Sequence, residues 1–191
     1  MNKTEDRRVR KTKRLLKEGL CKLLKEKSIK EITIQNITDS VDLNRRTFYL
    51  HYNDIYDLLE SMENDFINHF EELHNNFVLS QDNPKEYIEV LFKYIDDNID
   101  IFKVLLTNKE SNFVKKITTK ATFNGLKEHN CLNKNSEKSL YLLTFTISGV
   151  IGTLKKWASE DSNLSSSEIF ALLHDMVSTI SEFYMKNREN E

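Results

Sequence analysis

Residues 33–58, TIQNITDSVDLNRRTFYLHYNDIYDL, decide the fold of this chain. Thr33 and Asn44 are good N-cap residues, so the stretch predicts a short helix after each of them. One apolar stripe runs along the first of these helices and consists of Ile34, Ile37 and Val41. Only residues 42–44 connect the two helices. The pattern therefore predicts a helix-turn-helix.

The second of these helices has two different sides. At 3.6 residues per turn, Phe48 and Tyr52 lie on one side, four positions apart, where they can pack against a core. The other side chains point away from that side and are Arg45, Arg46, Thr47, Tyr49, Leu50 and His51. The sequence thus predicts one side that holds the helix in place and another that faces outward.

Length and composition favour an all-α protein. The chain has 191 residues, which suffice for a sizeable core in one or two domains. Its 1 Pro and 4 Gly leave few of the turns that separate strands. Because the apolar residues recur at helical spacing, we expect about nine helices.

The cysteine content and the lengths of the apolar runs indicate a cytoplasmic protein without a membrane segment. The two cysteines, Cys21 and Cys131, are far apart in the sequence, and no apolar run is long enough to span a bilayer. Neither a signal peptide nor a disulfide framework is evident. Cys21 falls at the edge of the apolar face of a predicted helix over residues 12–27, which favours a small core residue over a reactive thiol.

Charge is distributed unevenly along the chain. Residues 1–52 carry 14 Lys and Arg against 7 Asp and Glu, a balance of +7, and the remaining residues carry 14 against 23, a balance of −9. A basic head on an acidic body suits nucleic-acid binding, because phosphate attracts the first part and repels the second. Solvated faces on ordinary helices would explain single lysines but explain this polarisation less well.

Six cations are concentrated near the beginning of the basic part. They are Arg7, Arg8, Arg10, Lys11, Lys13 and Arg14, and we refer to them as the basic arm. The arm could lie along a phosphate backbone or reach into a minor groove. A disordered, solvated tip of the chain is an equally good interpretation.

A set of residues in and around the predicted helix-turn-helix resembles the DNA-binding domain of the TetR/AcrR family of bacterial transcriptional regulators. These residues are Thr33, Ile34, Ile37, Leu43, Arg45, Thr47, Phe48, Tyr49, His51, Tyr52, Asp57 and Leu58. The resemblance covers roughly residues 10–70. It implies an all-α fold with a three-helix DNA-binding domain over residues 1–53 and a helical regulatory and dimerisation domain over residues 54–191.

Two positions depart from the family pattern. Asp42 stands where the family often has Gly in the turn, and Ile55 stands where a Lys commonly begins the fourth helix and touches phosphate. By resemblance, the second change removes an expected contact with DNA phosphate. The phrase DIYDLL, residues 54–59, resembles the branch that includes regulators of dihydroxyacetone kinase operons.

The resemblance and the side-chain chemistry together predict contacts with the DNA backbone. By resemblance, Tyr49 and His51 contact that backbone. The hydroxyl of Thr33 can meet a phosphate at a helix N-terminus, and this role is compatible with plain N-capping.

Four outward residues of the second helix are candidates for contacts with the bases. Arg45 and Arg46 can each donate two hydrogen bonds to guanine in the major groove, although either can instead bind phosphate. Thr47 and Leu50 can touch a thymine methyl group. An outward Leu is otherwise hard to explain on an exposed side.

The second part of the chain predicts further helices. Their expected ranges are 54–74, 85–97, 99–107, 110–129 and 136–159, followed by a helix that begins at Ser166 or Ser167. Aromatic residues recur on them and include Tyr87, Phe92, Tyr94, Phe102, Phe113 and Phe123. These rings could line an effector pocket, but at helical spacing they more often form a core.

The last two predicted helices carry long apolar stripes. A monomeric core could use both of them. By resemblance, however, they form a four-helix dimer interface, for which we predict Leu143, Ile147, Ile151, Leu154, Leu172, Met176 and Ile180. Ser148, Gly149 and Gly152 lie midway along the first of these helices and would let another helix approach closely.

No set of residues in the sequence makes a convincing catalytic or metal site. Glu71 and His74 have the spacing used in di-iron bundles, but the chain has no second copy of this motif, so we interpret them as a solvated helix end. His129 and Cys131 form an isolated pair, which is a weak metal signal. We therefore predict no cofactor, no metal and no enzymatic activity, with a metal-dependent bundle enzyme as the alternative.

These features together predict a DNA-binding regulator. A homodimer would place two recognition helices in major grooves about one helical turn, roughly 34–36 Å, apart on a pseudo-palindromic operator. A small molecule or a protein would act as effector on the C-terminal domain. Repression is the default expectation, since a bound protein blocks polymerase. The alternatives are an activator and a co-regulator of the same fold that works through a protein partner.

Overall fold

The computed structural model describes residues 7–80, 84–128, 137–159 and 162–188. Over these residues the chain forms nine α-helices and no strand, so the predicted all-α fold is confirmed. The helices are α1 (Arg7–Leu24), α2 (Ile34–Ser40), α3 (Arg45–Tyr49), α4 (Ile55–Ser80), α5 (Pro84–Asp97), α6 (Ile99–Thr107), α7 (Phe113–Glu128), α8 (Glu137–Ser159) and α9 (Ser166–Arg188). A short 3₁₀ helix, Ile29–Glu31, lies between α1 and α2.

The first three helices pack around a small apolar core. Leu20 of α1, Ile37 of α2 and Phe48 of α3 are completely buried. Gly19 sits where α1 and α2 meet, because a Cβ atom there would lie 2.8 Å from Ser40 Oγ and 3.2 Å from the carbonyl oxygen of Ile37. Only a residue without a side chain allows these two helices to come so close.

The predicted caps hold α2 and α3. The Thr33 hydroxyl accepts a hydrogen bond from the Asn36 N–H (3.1 Å), and the Asn36 side chain accepts one from the Thr33 N–H (3.0 Å). The Asn44 side chain accepts a hydrogen bond from the Arg46 N–H (2.8 Å). Between the helices, Asp42 has a φ of 52°, a left-handed conformation that Gly adopts most easily and Asp tolerates. The turn is therefore kept although Gly is absent.

α4 joins the helix-turn-helix to the rest of the chain. Asp54 caps it by accepting a hydrogen bond from the Asp57 N–H (2.8 Å). The 26 residues of the helix span about 39 Å at 1.5 Å per residue. The expectation that it ends near His74 is wrong, since it continues to Ser80. The asparagines that follow His74 have weak helix propensity, but the helix continues through them.

α7 begins three residues later than predicted, whereas α6 has the predicted bounds. The reason is the buried carboxylate of Glu63 on α4, which holds the segment before α7. It accepts hydrogen bonds from the Ser111 hydroxyl (2.9 Å) and the Asn112 N–H (2.7 Å). These contacts fix the beginning of α7 against the middle of α4.

Aromatic residues form much of the core beyond the helix-turn-helix. Phe102 and Phe113 are buried, and their ring centroids each lie 5.9 Å from that of Phe66. The Tyr94 ring lies 5.2 Å from the same Phe66 ring. Phe123 does not follow this pattern, because it is 63% exposed on α7. Core packing therefore accounts for most of the predicted aromatic set.

Some predictions concern side chains outside the described part of the chain. They are those of Tyr87, His129 and Cys131. Among the described residues, no group of three or more His, Cys, Asp or Glu side chains is arranged to hold a metal ion. No helix within these ranges is long and apolar enough to cross a membrane.

Candidate nucleic-acid interface

α3 has one buried side and one exposed side. Phe48 is completely buried and Tyr52 is 5% exposed, as the sequence predicted. Tyr49 is 53% exposed and Leu50 is 71% exposed. Of the other predicted contact residues, Arg45 and Arg46 are exposed, whereas Thr47 and His51 are half-buried. A Leu this exposed beside two arginines does not serve the core of the chain, so it is available to a partner.

Aromatic contacts join Phe48 to the two tyrosines near it, and one polar contact joins this cluster to α4. The ring centroid of Phe48 lies 5.8 Å from those of Tyr49 and Tyr52. The Tyr52 hydroxyl lies 3.5 Å from Ser61 Oγ on α4. The N–H groups of His51 and Tyr52 both donate to the Phe48 carbonyl oxygen at 3.0 Å, so a helical turn continues after Tyr49. The Tyr52 contact therefore links α4 to the turn that follows α3.

Thr33 is exposed at the N-terminus of α2. Its hydroxyl oxygen accepts the capping hydrogen bond from Asn36, which leaves the hydroxyl hydrogen able to donate to a phosphate oxygen. The capping role and the predicted DNA role of Thr33 are thus compatible in this geometry.

The first turn of α4 differs from the family pattern. Ile55 is partly buried and packs against the core. The next residue, Tyr56, is 51% exposed. Tyr56 was not among the predicted contact residues, although its position directly after the family's Lys position was a usable signal. A phenol hydroxyl can donate a hydrogen bond to phosphate, as the missing Lys would.

The basic arm is the beginning of α1, which starts at Arg7. Arg10, Lys13 and Arg14 line a groove of about 890 Å³ between α1 and the body. Acidic residues of the body, including Asp97 and Asp100, line the same groove. The exposed cations of the arm that do not line this groove are Arg7, Arg8 and Lys11. One side of the arm thus faces carboxylates, and only the other side suits phosphate.

A cavity of about 600 Å³ lies between α4 and the five helices that follow it. Its lining is mostly apolar and includes the aromatic residues Phe70, Phe92, Phe102, Phe113 and Phe170. The volume falls within the range of about 300–1,000 Å³ typical of small-molecule sites. The body therefore contains space for a ligand next to α4.

The second half of the chain decides the family. A TetR family model, described as "Transcriptional regulator C-terminal region", matches residues 82–179, which is more than half of the chain. The chain belongs to the TetR family of transcriptional regulators. DNA binding and regulation of transcription follow from this membership.

Two solved structures have the fold of this TetR-family chain. A TetR transcriptional regulator from Streptococcus agalactiae is 24% identical, with a TM-score of 0.60, and the match covers 91% of this chain and 97% of that chain. The dihydroxyacetone kinase operon activator DhaS is 15% identical, with a TM-score of 0.53, and the match covers 90% of this chain and 94% of that chain. At identities this low, both likenesses show the fold alone. A search of curated proteins found no match.

The residues predicted for a TetR-type dimer interface lie on different sides of the body. Four of them line the cavity and are Leu143, Ile147, Ile151 and Leu154. On α9, Leu172 is 47% and Met176 50% exposed, whereas Ile180 is half-buried. The role of these seven residues in a dimer stays a prediction.

α8 of this TetR-family chain has a second apolar side, which faces outward. Tyr141 and Phe145 are each 67% exposed. A Cβ atom added at Gly149 or Gly152 would meet nothing within 4 Å. These four residues recur at helical spacing, and we call them the outward face of α8. Its two aromatic residues were not predicted for the interface, because the Leu and Ile stripe on the opposite side is the stronger pattern.

The Cys21 thiol has no place in the interface with DNA. The residue is 4% exposed in the core, and burial raises the pKa of its thiol from 9.0 to about 11. The thiol therefore stays protonated near neutral pH, where only the thiolate would react. The interpretation of Cys21 as a core residue is confirmed.

Proposed function

We propose that this TetR-family protein represses transcription by binding a pseudo-palindromic operator as a homodimer, and that an effector in the C-terminal domain modulates this binding. The proposal assigns DNA binding to residues 1–53 and regulation and dimerisation to residues 54–191. Acting on the chromosome places the protein in the cytoplasm. The exposed side of α3, with Leu50 between polar and cationic side chains, is the observation that carries the proposal.

The proposed DNA contacts divide by chemistry. Arginine forks and apolar side chains are suited to base edges in the major groove, and this set is Arg45, Arg46, Thr47 and Leu50. Hydroxyl and imidazole groups are suited to phosphate, and this set is Thr33, Tyr49, His51 and Tyr56. The second set positions α3 in the groove, whereas the first set reads the sequence.

Two copies of the chain are needed because one short recognition helix contacts only one half-site. In our proposal the outward face of α8 meets the same face of a second copy, together with Leu172 and Met176 of α9. Exposed aromatic residues give this contact apolar area, and the glycines allow a close approach. The residues of α8 that line the cavity support the interface from inside.

The cavity and α4 provide a route from effector to DNA. Ile67 and Phe70 of α4 line the cavity, and Ser61 of the same helix contacts Tyr52 below α3. An effector that binds one position of α4 better than another shifts the population of that position. The distance between the two α3 helices of the dimer then changes. Operator affinity rises or falls according to whether this distance equals that between successive major grooves.

The experiment that tests this function is operator selection followed by a binding titration. DNA that the protein retains from a random pool supplies the operator, and fluorescence anisotropy at fixed salt measures affinity. We expect Arg46→Ala to weaken binding about tenfold or more, because one bidentate base contact is worth about 1–3 kcal/mol. Helical content, measured by circular dichroism, should not change.

Lys93→Ala provides the matched control, since Lys93 is an exposed cation on α5. This variant loses the same charge as Arg46→Ala but should bind the operator as tightly as the unmodified protein. The proposal fails if the unmodified protein binds selected DNA no better than random DNA. The assignment of α3 fails if Arg46→Ala and Lys93→Ala bind equally well.

Activation of transcription is the second candidate function. The phrase DIYDLL resembles regulators of dihydroxyacetone kinase operons, and one solved structure of this fold is named as an activator of such an operon. A reporter gene behind the promoter that carries the selected operator separates the two functions. Repression predicts higher reporter output when the protein is removed, whereas activation predicts lower output. A co-regulator that works through a protein partner would bind that partner but no operator.

A further inference from the structure

The polar part of the cavity lining is small and contains charged groups. Four ionisable residues line the cavity, namely Glu71, His74, Lys120 and His174, while most of the remaining lining is apolar. Three of these four side chains are bases and one is an acid. Thr146 and Ser178 add two hydroxyl groups. The cavity is therefore suited to a mostly apolar molecule with one polar end.

An ion pair marks where that polar end belongs. The Lys120 ammonium group of α7 contacts the Glu71 carboxylate of α4. Both residues line the cavity, and together with Ile67 both also line a groove of about 420 Å³. The pair therefore lies where the apolar cavity adjoins the groove. A ligand with an apolar body in the cavity would place its polar end at this pair.

The charge of the groove decides the sign of the polar end. Lys115, Lys116 and Lys120 line it, and Glu71 is its one lining carboxylate among the described residues. Lys116 is already paired with Glu60 and Glu63, so Lys115 and Lys120 are the cations that face Glu71 in this count. A negative group that replaces Glu71 keeps Lys120 paired, whereas a positive group that replaces Lys120 would share the groove with Lys115. The groove therefore favours an anion over a cation.

The existing ion pair is easy to exchange. The side chain of Glu71 is 33% exposed and that of Lys120 is 47% exposed. An exposed pair of this kind contributes little to stability, because water screens both charges. Glu71 can return to water when another carboxylate takes its place. Exchange therefore costs the protein little and gives the ligand a charge-assisted contact.

We propose that the cavity binds an amphipathic monocarboxylic acid, whose hydrocarbon or aromatic body fills the apolar part and whose carboxylate replaces Glu71 at Lys120. This proposal rests on the proposed function, because it names the effector class of the cavity assigned there. Exchange at Lys120 removes the ion pair that joins α7 to Glu71 of α4. Lys116, one turn earlier on α7, keeps its ion pairs with Glu63 (2.9 Å) and Glu60 (3.2 Å) of α4. α4 thus keeps these contacts near the DNA-binding head and loses the Glu71 ion pair beside the cavity.

Three probes of equal chain length test this proposal: octanoate, octan-1-ol and octylamine. Trp157, the one Trp of the chain, reports binding through its fluorescence, because its ring lies 6.1 Å from that of Phe170 in the cavity lining. We expect octanoate to bind about tenfold more tightly than either other probe, as a charge-assisted contact predicts. Equal binding of the three probes, tighter binding of octylamine, or no binding of any probe overturns the proposal.

Two variants locate the contact. Lys120→Met keeps the length of the side chain but removes its charge, so it should reduce the preference for octanoate over octan-1-ol to less than about threefold. Lys93→Met removes an exposed cation that lines neither cavity nor groove and should keep the full preference. Glu71→Gln removes the competing carboxylate and should bind octanoate more tightly than the unmodified protein. An unchanged preference in Lys120→Met contradicts the proposal.

Operator binding by the ligand-free protein separates this inference from the proposed function. A protein that binds its operator but shows no preference for octanoate contradicts the ligand class alone. A protein that prefers octanoate but binds no operator contradicts the proposed function alone.

Discussion

Glu63 shows how one buried carboxylate connects two distant parts of the chain. Its side chain is nearly inaccessible, and its partners are the Ser111 hydroxyl, the Asn112 N–H and the Lys116 ammonium group. Burial alone lowers the pKa of Lys116, but hydrogen bonds to Glu63 and Glu60 outweigh this effect and leave the pKa above 10.5. Lys116 therefore stays charged, and Glu63 has the partners that a buried charge requires.

We predict that Glu63→Ala destabilises the fold by on the order of 3 kcal/mol, because the protein loses the hydrogen bonds that this buried charged group accepts from Ser111, Asn112 and Lys116. Urea unfolding followed by circular dichroism measures this change. Glu60→Ala is the matched control, since Glu60 contacts the same Lys116 at 3.2 Å but its side chain is 63% exposed. Glu60→Ala should lower the free energy of unfolding by less than about 1 kcal/mol. Similar losses of unfolding free energy in the two variants would show that the buried contacts of Glu63 stabilise the fold no more than the exposed contact of Glu60.

Residue roles could be read from the sequence where the partners are close together in the chain. Thr33 and Asn44 cap helices through residues two or three positions away, and both caps were predicted. Phe48 and Tyr52 were assigned to the core from helical spacing alone, and both are buried. Glu63 was not singled out, because its partners Ser111 and Asn112 follow 48 and 49 positions later. Spacing rules do not reach across such a distance.

At the scale of whole helices, the presence of a helix is easier to predict from the sequence than the side that faces inward. α6 has the expected bounds, because its apolar run is short and clearly ended. α8 carries apolar residues on two opposite sides, so periodicity alone could not tell the cavity side from the outward face. The burial pattern makes this distinction: Leu154 is buried, whereas Phe145 is two-thirds exposed.

We predict that Phe145→Glu converts the protein from a dimer to a monomer, because a charge on the outward face of α8 would be buried against a second copy. Light scattering coupled to size-exclusion chromatography measures the mass. Phe123→Glu is the matched control, since Phe123 is 63% and Phe145 67% exposed and both lie on helices. The control should remain a dimer. Should both variants remain dimers, the interface does not use this face of α8.

At the scale of the whole molecule, the charge polarisation seen in the sequence is also a polarisation in space. The basic head and the acidic body contact each other through ion pairs, including Lys25 with Asp100 (2.6 Å) and Lys30 with Glu110 (3.0 Å). Part of the positive charge of the head is therefore paired with carboxylates of the body. In the sequence these lysines count toward a basic, DNA-binding head, because a charge count cannot show which cations already have carboxylate partners.

This division predicts which cations contribute to the salt dependence of DNA binding. The logarithm of affinity falls with the logarithm of salt concentration by about 0.9 for each phosphate contact, because each contact releases counterions. Lys11 is exposed and does not line the acidic groove, whereas Lys13, two positions later, lines that groove. Both variants, Lys11→Ala and Lys13→Ala, remove one positive charge per chain. Only the first should remove phosphate contacts.

We therefore expect Lys11→Ala to lower the slope by about 1.8 per dimer, since two contacts are lost, and Lys13→Ala to leave it nearly unchanged. Anisotropy titrations of the selected operator between about 50 and 200 mM salt measure both slopes. Equal slopes for the two variants would mean that total charge governs binding. A lower slope for Lys13→Ala alone would mean that the groove side of α1, and not the side of Lys11, faces the DNA.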